Sequence, residues 1–252
     1  MKPTFVRIAH RGGGSLAPEN SLAGIEHSLS LGLEMIEVDL RGTRDGAIVL
    51  SHHEKLPGTP APISAMTLDE LREGAVDGIA TLDEALNVVQ GRALLNLDVK
   101  AAGLAARLTA TVSDHHALDA CVVTCLNREW LAQISNLEPS LTTLFSYPPD
   151  YGGASQRPWL TPVVNATALL MQLSLPFRLR GMLRPLPGAG ACVWYRLVTA
   201  RLVSLVHDME VPLYVWTVDD PDEMERLAGM GVDGITSNRP DLLARLDPGT
   251  ID

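Results

Sequence analysis

Short apolar runs alternate along the chain with longer stretches in which apolar residues recur every three or four positions. Phe5–Ala9, Met35–Leu40, Ala93–Val99, Ala120–Leu126, Thr142–Tyr147, Ala191–Tyr195, Pro212–Val218 and Gly234–Ser237 have the length and composition of buried strands. Leu22, Ile25, Leu29 and Leu33 mark one face of a helix with Asn20 or Ser21 as its cap and Gly32 as its stop. Thr81 and Glu84 have the spacing of a capping box. Further helices are predicted over Leu104–Val112, Arg128–Asn136, Thr199–Glu210, Pro221–Gly229 and Pro240–Leu246. After the turn at Asp45-Gly46, Ala47–His52 reads as an extended run, and residues 54–78 as a proline-bearing insertion with one helical turn at Leu68–Glu73.

About eight strand–helix units imply parallel strands covered by helices. Over 252 residues that is the size of a single closed (β/α)8 TIM barrel, residues 1–252, with a short insertion at about 54–78 after the second strand. An open doubly wound sheet is the alternative. Against it, Gly12-Gly13-Gly14 runs on into Ser15-Leu16-Ala17 and lacks the third glycine of a dinucleotide-binding turn.

Composition narrows the function. Apolar residues make up 46% of the chain, which excludes disorder, and the formal charge of −10 argues against nucleic-acid binding through phosphate neutralisation. Cys121 and Cys125 would lie about 13 Å apart along a strand, too far for a bridge. With three cysteines in all, reduced thiols are expected, which favours the cytoplasm. Met1–Thr4 leads into the first strand without an apolar h-region, so no signal peptide is expected. No apolar window reaches the length of a spanning helix.

The candidate chemistry sits at strand ends. His10 ends the first strand and His52 the extended run. Glu37 and Asp39, two apart, share one face of the second strand, about 7 Å apart at the backbone. Asp98 and Lys100 share a face at the end of the third strand, and Trp216 falls at the end of the seventh. Three carboxylates converging on one point call for a cation, and oxygen donors suit Mg²⁺ or Ca²⁺. Two histidines beside such an ion suit acid–base work on a phosphate ester. His27, His115, His116 and His207 read as solvated residues without partners, and Asp219-Asp220 as charges at a helix N-terminus.

The pieces His10-Arg11-Gly12, Pro18-Glu19-Asn20-Ser21, Glu37-Val38-Asp39, Arg44-Asp45-Gly46 and Val49-Leu50-Ser51-His52, in this order and spacing, resemble the glycerophosphodiester phosphodiesterase family. Leu95–Lys100, Val215–Val218 and Gly231–Pro240 extend the resemblance over about residues 6–130 and 195–245. It implies a TIM barrel with Glu37, Asp39 and Asp98 as metal ligands and His10 and His52 as catalytic residues. It also implies hydrolysis of a glycerophosphodiester to sn-glycerol 3-phosphate and an alcohol, the substrate's own hydroxyl attacking to give a cyclic phosphate that water opens. Arg11 and Lys100 are expected at the phosphate, or as partners of Glu19 and of the carboxylates respectively. Trp216 is expected as a substrate wall or as ordinary packing.

The chain departs from the family pattern in places. Asp98 stands where the family usually carries glutamate, as in the related phospholipase-D-type toxins. His53 stands where an aspartate is usual, and Ser237-Asn238 where threonine–aspartate is usual. In an extended run His53 would point away from His52. Two rivals follow. One is a lysophospholipase D-type enzyme with a lipid tail on its substrate. The other is a catalytically idle barrel that binds a phosphoester or a partner protein. Residues 163–186 are rich in large apolar side chains, from Leu169 to Leu183, and carry only positive charges, Arg178, Arg180 and Arg184. They suit either a membrane-contacting rim or an ordinary barrel helix, with Pro176 expected to break a long helix.

Overall fold

A computed structural model describes residues 5–76, 78–149, 161–186 and 188–246. In chain order the elements are β1 (Val6–Ala9), α1 (Leu22–Ser30), β2 (Met35–Gly42), β3 (Ile48–Leu50), α2 (Leu68–Gly74), α3 (Leu82–Val89), β4 (Leu94–Val99), α4 (Ala105–Asp114) and β5 (Cys121–Cys125). They continue with α5 (Arg128–Leu137), β6 (Thr142–Tyr147), α6 (Thr161–Leu183), β7 (Gly190–Trp194), α7 (Ala200–His207), β8 (Leu213–Trp216), α8 (Pro221–Gly229), β9 (Gly234–Ser237) and α9 (Pro240–Leu243). β1 pairs in parallel with both β2 and β9, and so closes a barrel through β2, β4, β5, β6, β7, β8 and β9. The fold is a TIM barrel. β3 stands outside it as an antiparallel hairpin partner of β2.

Local chemistry sets the helix starts. Ser21 accepts from Gly24 N at 3.0 Å, Thr67 and Thr81 each close a capping box, and Asn127, Thr199 and Asp220 cap α5, α7 and α8. Asn20 is not the cap of α1.

The two-residue period of the strands sorts the core into two shells. Ala9, Ile36, Val38, Leu95, Leu97, Val123, Val193, Val215 and Ile235 face outward and pack with helix residues such as Ile25, Leu82, Leu108, Leu131 and Leu202. Ile8, Met35, Val122, Leu144, Cys192 and Tyr214 face inward and plug the barrel. Two positions further along each strand the inward residue is His10, Glu37, Thr124, Ser146, Trp194 or Trp216, and all of these border one cavity of about 1100 Å³. The apolar plug and the polar mouth are thus successive turns of one alternation.

Several expectations need correction. The extended run stops at Leu50, and His52 lies in the bend beyond it: Leu50 is the last residue of β3 paired with β2, opposite Leu40. His115 and His207 are partnered: their Nε2 atoms lie 2.9 Å from Asp83 and 3.0 Å from Asp233. Asp220 caps α8, whereas Asp219 binds the end of β9. α6 runs unbroken through Pro176. The insertion folds its own small cluster, Ile63, Met66 and Leu71 against Val49.

All three cysteines are free and buried, and burial pushes the Cys121 and Cys125 thiols up to about 12 and Cys192 higher still. The native protein should therefore show almost no reaction with a thiol-disulfide reagent at pH 8 over minutes. All three should react in guanidinium. Rapid native labelling of one thiol would contradict this packing.

Candidate active site

The site is built first from β2 and β4. Their parallel register sets Glu37 beside Asn96 and Asp39 beside Asp98. All three carboxylates turn inward, and one oxygen from each lies within 4.8 Å of the others. Glu37 and Asp39 are 4% and 1% exposed. Burial, then the charges of Asp39 and Asp98, push the Glu37 carboxyl well above the usual range. Burial pushes Asp39 the same way, but the His52 hydrogen bond, the Lys100 charge and the Asn20 amide outweigh it and hold Asp39 well below that range. Lys100 Nζ pairs with Asp98 and lies 3.0 Å from Asp39 Oδ1. Burial would lower its pKa, but Asp98, Asp39 and Glu37 together raise it, so it stays charged. Lys100 and the Arg11 guanidinium, 3.5 Å from Asp39, bring two positive charges to three carboxylates. Asp98 Oδ1 is buried without a hydrogen-bond partner among the described residues. An orphaned acceptor within a converging set of hard oxygens fits a divalent cation.

The β1 end adds the next groups. Arg11 takes φ +50 and Gly12 φ +87, a left-handed turn that aims the Arg11 N–H at Glu37 Oε2, 2.7 Å away. The Arg11 side chain is held by Glu19 at 2.8 Å, with Nε 3.5 Å from Asp39 Oδ2. His10 Nδ1 lies 2.6 Å from Asn238 Oδ1, which leaves Nε2 toward Glu37 at 3.9 Å. Burial lowers the His10 pKa, and the Asn238 hydrogen bond opposes it. His52 Nδ1 lies 3.3 Å from Asp39 Oδ1, and Arg41 holds the His52 carbonyl at 2.9 Å. His53 is exposed and is not part of the cavity lining, its ring edge-on to His52 at 5.4 Å between centroids. Trp216 borders the cavity on the far side, with Nε1 donating to the Cys192 carbonyl at 3.2 Å.

The structure therefore brings His10, Arg11, Glu37, His52, Asp98, Lys100 and Trp216 to one cavity, with Asp39 in contact with Arg11, His52 and Lys100. Sequence reasoning did not assign three residues to the site: Asn20, Asn238 and Asp219. Asn20 clamps Asp39 at both ends, donating to Oδ2 at 2.9 Å and accepting from the Asp39 N–H at 2.8 Å. Asn238 and Asp219 meet behind His10. The signal for Asn20 was its place in Pro18-Glu19-Asn20-Ser21, where a second capping residue follows at once. For Asn238 the signal was its strand-end position and the departure at Ser237-Asn238 from the usual threonine–aspartate.

A (β/α)8 barrel with a carboxylate–histidine centre at the C-terminal ends of its strands is an enzyme architecture. Residues 10–242 match the glycerophosphoryl diester phosphodiesterase family, and the chain belongs to it. It is 26% identical over 258 residues to the glycerophosphodiester phosphodiesterase of Caldanaerobacter subterraneus subsp. tengcongensis, which covers 95% of this chain and 96% of that protein. It is 29% identical over 253 residues to the probable glycerophosphodiester phosphodiesterase 2 of Mycobacterium tuberculosis, covering 94% and 89%. An Oleispira antarctica phosphodiesterase, solved in complex with the product sn-glycerol-3-phosphate, shares the fold with a TM-score of 0.76 at 22% identity over 94% of each chain.

Removing the Asn20 clamp should cost about 1–3 kcal/mol, because Asp39 would lose two partners while staying buried. Asn20→Ala should lower the melting temperature, and Asn20→Asp should lower it further by adding a like charge. An unchanged melting temperature in Asn20→Ala would show that Asp39 is held by other means.

Proposed function

We propose that this chain, as one barrel domain over residues 1–252, hydrolyses glycerophosphodiesters to sn-glycerol 3-phosphate and an alcohol with the aid of Mg²⁺ or Ca²⁺. One observation carries the reading. Two histidines held by separate partners stand beside three converging carboxylates, and one oxygen of Asp98 has no donor among the described residues. The family membership, the names of the relatives and the product found in the Oleispira enzyme point to the same substrate.

Glu37, Asp39 and Asp98 would hold the ion, which when bound neutralises charge on phosphoryl oxygens. Lys100 and Arg11 add fixed positive charge at the same mouth and orient the diester. Trp216 forms the opposite wall. His10 donates Nδ1–H to a neutral amide and keeps Nε2 as an acceptor for the proton of the attacking hydroxyl. His52 donates to a carboxylate, and a proton delivered from its ring goes to the leaving alcohol. In this reading the attacking hydroxyl is the substrate's own glycerol hydroxyl. Water then opens the cyclic phosphate with the two rings exchanging roles.

Turnover of glycerophosphocholine should vanish in EDTA and return with Mg²⁺ or Ca²⁺. His10→Ala and His52→Ala should each lose at least about 100-fold in kcat. Full activity in EDTA would remove the metal from this reading. Wild-type turnover in either variant would remove that histidine.

The mouth also favours an amphiphilic substrate as a second reading. The first turn of α6 supplies Thr161 and Val164 to the cavity. Further along the same helix Leu169, Leu170, Leu173 and Phe177 are 57–70% exposed, and its charges are all arginines. An apolar face with only positive charge fits an anionic lipid surface, from which a lysophospholipid could enter the cavity. No described helix is long and apolar enough to cross a membrane. The buried free thiols are in keeping with a cytoplasmic setting. Anionic vesicles should sediment the protein at low salt, and paired Leu170→Ser and Phe177→Ser changes should abolish this while leaving the melting temperature within a few degrees. Vesicle binding unaffected by the pair would refute the surface.

A further inference from the structure

Asparagine presents an oxygen and an NH₂ of similar size, so its partners decide which one faces which way. Asn238 has two. Its Oδ1 lies 2.6 Å from His10 Nδ1, and its Nδ2 lies 2.9 Å from Asp219 Oδ2. Asp219 also accepts from the Asn238 backbone N–H at 2.7 Å and from Ser237 Oγ at 3.1 Å, both through Oδ1. An ionised carboxylate only accepts hydrogen bonds. The NH₂ must therefore face Asp219 and the oxygen must face His10, which obliges His10 to carry its proton on Nδ1. Nε2 is then left bare, on the cavity side, 3.9 Å from Glu37.

The site of Asn238 is itself fixed. Its carbonyl accepts from Ser15 N at 2.8 Å and from Ser15 Oγ at 2.9 Å, and a Cβ on Gly14, at φ +59, would overlap that carbonyl. The backbone cannot swing to offer His10 another group, so only the amide orientation is free to change.

We propose that Asp219 is a positioning residue that sets the tautomer of His10 by orienting the Asn238 amide. This rests on the role given above to His10 as proton acceptor. Asp219 does not touch His10 and acts two hydrogen bonds away from the ring.

The isosteric change Asp219→Asn inverts the relay without opening a cavity. The amide oxygen it introduces can still accept the Asn238 backbone N–H, which places the new NH₂ where Asp219 Oδ2 stood. Asn238 must then turn its oxygen outward and its NH₂ toward His10. Two donors cannot face each other, so the ring proton leaves Nδ1 through solvent and Nε2 gains one. A ring with Nε2 protonated cannot take a proton from the attacking hydroxyl. A second change, Asn238→Asp in the same chain, supplies an acceptor on both sides and returns the proton to Nδ1.

Two measurements test this on the metal-loaded full chain. The first is ¹⁵N NMR of ring-labelled histidine, with the His10 signals assigned as those lost in His10→Gln. Wild type should show Nδ1–H, Asp219→Asn should show Nε2–H, and Asp219→Asn/Asn238→Asp should show Nδ1–H again. The second is glycerophosphocholine turnover. Asp219→Asn should lose about 100-fold or more in kcat with little change in KM, as expected of a wrong tautomer. The double variant should recover to within about tenfold of wild type. An Nε2–H ring in wild type overturns the proposal at once. So does an Asp219→Asn variant that keeps Nδ1–H, or one whose lost activity the second change does not restore. Absent turnover in wild type with the expected tautomer pattern would instead count against the enzymatic reading and leave the relay standing.

Discussion

Everything at the mouth of this barrel answers to one constraint: Asp39 and Asp98 stand side by side on neighbouring parallel strands, with Glu37 one step below. Like charges in register repel, and here they do so where water is scarce. The chain spends its nearest polar groups on this problem. Lys100, two residues beyond Asp98 on the same face, pairs with both aspartates. Asn20 holds Asp39 by side chain and backbone, and the Arg11 N–H binds Glu37 through a turn in the left-handed region, a conformation that costs about 1–2 kcal/mol for a non-glycine residue. These groups hold Asp39 ionised, but they leave Glu37 with a raised pKa and Asp98 Oδ1 with no donor. The scaffold orders the carboxylates without satisfying them, as expected of groups kept for a cation.

A cluster under this repulsion stays in place only on a stiff frame. The outward residues between the charged ones, Ile36, Val38, Leu95 and Leu97, are fully buried beneath the helices. Inward, Ile8, Met35 and Leu144 fill the barrel below the carboxylates. Slipping either strand by one residue would exchange the two sets, burying the charges under helices and exposing the leucines to the cavity. The apolar alternation therefore fixes where the carboxylates point, and their mutual repulsion is small beside the burial that opposes any change of register.

The same alternation made much of the fold and site legible from the residues. The eight barrel strands, most helix starts and the inward direction of Glu37, Asp39, Asp98 and Lys100 follow from periods of two and 3.6 and from capping residues, which are local properties. What was not legible is non-local. His115 and His207 find carboxylates in other elements, Asp83 and Asp233. Asn20 and Ser21 are both good caps, and only the position of Asp39 assigns the cap to Ser21 and the clamp to Asn20. Asp219 looked like a helix-end charge because its neighbour Asp220 is one. Pro176 sits inside α6 because the lost backbone bond is compensated by packing of Leu175, Leu179 and Leu183 into the barrel wall, which no local rule reports.

The opposite shifts of Glu37 and Asp39 couple the site to stability with opposite signs. Asp39 has a folded pKa below its unfolded value of about 4, so its stabilising contribution is present above that pH and fades as pH falls through the folded value. Glu37 has a folded pKa above its unfolded value, so stability declines as pH rises from about 4 toward the folded value and is not regained beyond it. The charges of Asp39 and Asp98 beside a buried Glu37 are part of what raises its pKa. A divalent cation held among the three carboxylates would act against that shift, so metal binding and protonation of Glu37 would be linked. The histidines stand outside this exchange in different degrees. His52 leans on Asp39, which is ionised in either state, whereas His10 leans on a neutral amide whose orientation is set from outside the cluster. In the proposed reaction, the ring that accepts a proton is thereby held by a partner that carries no charge.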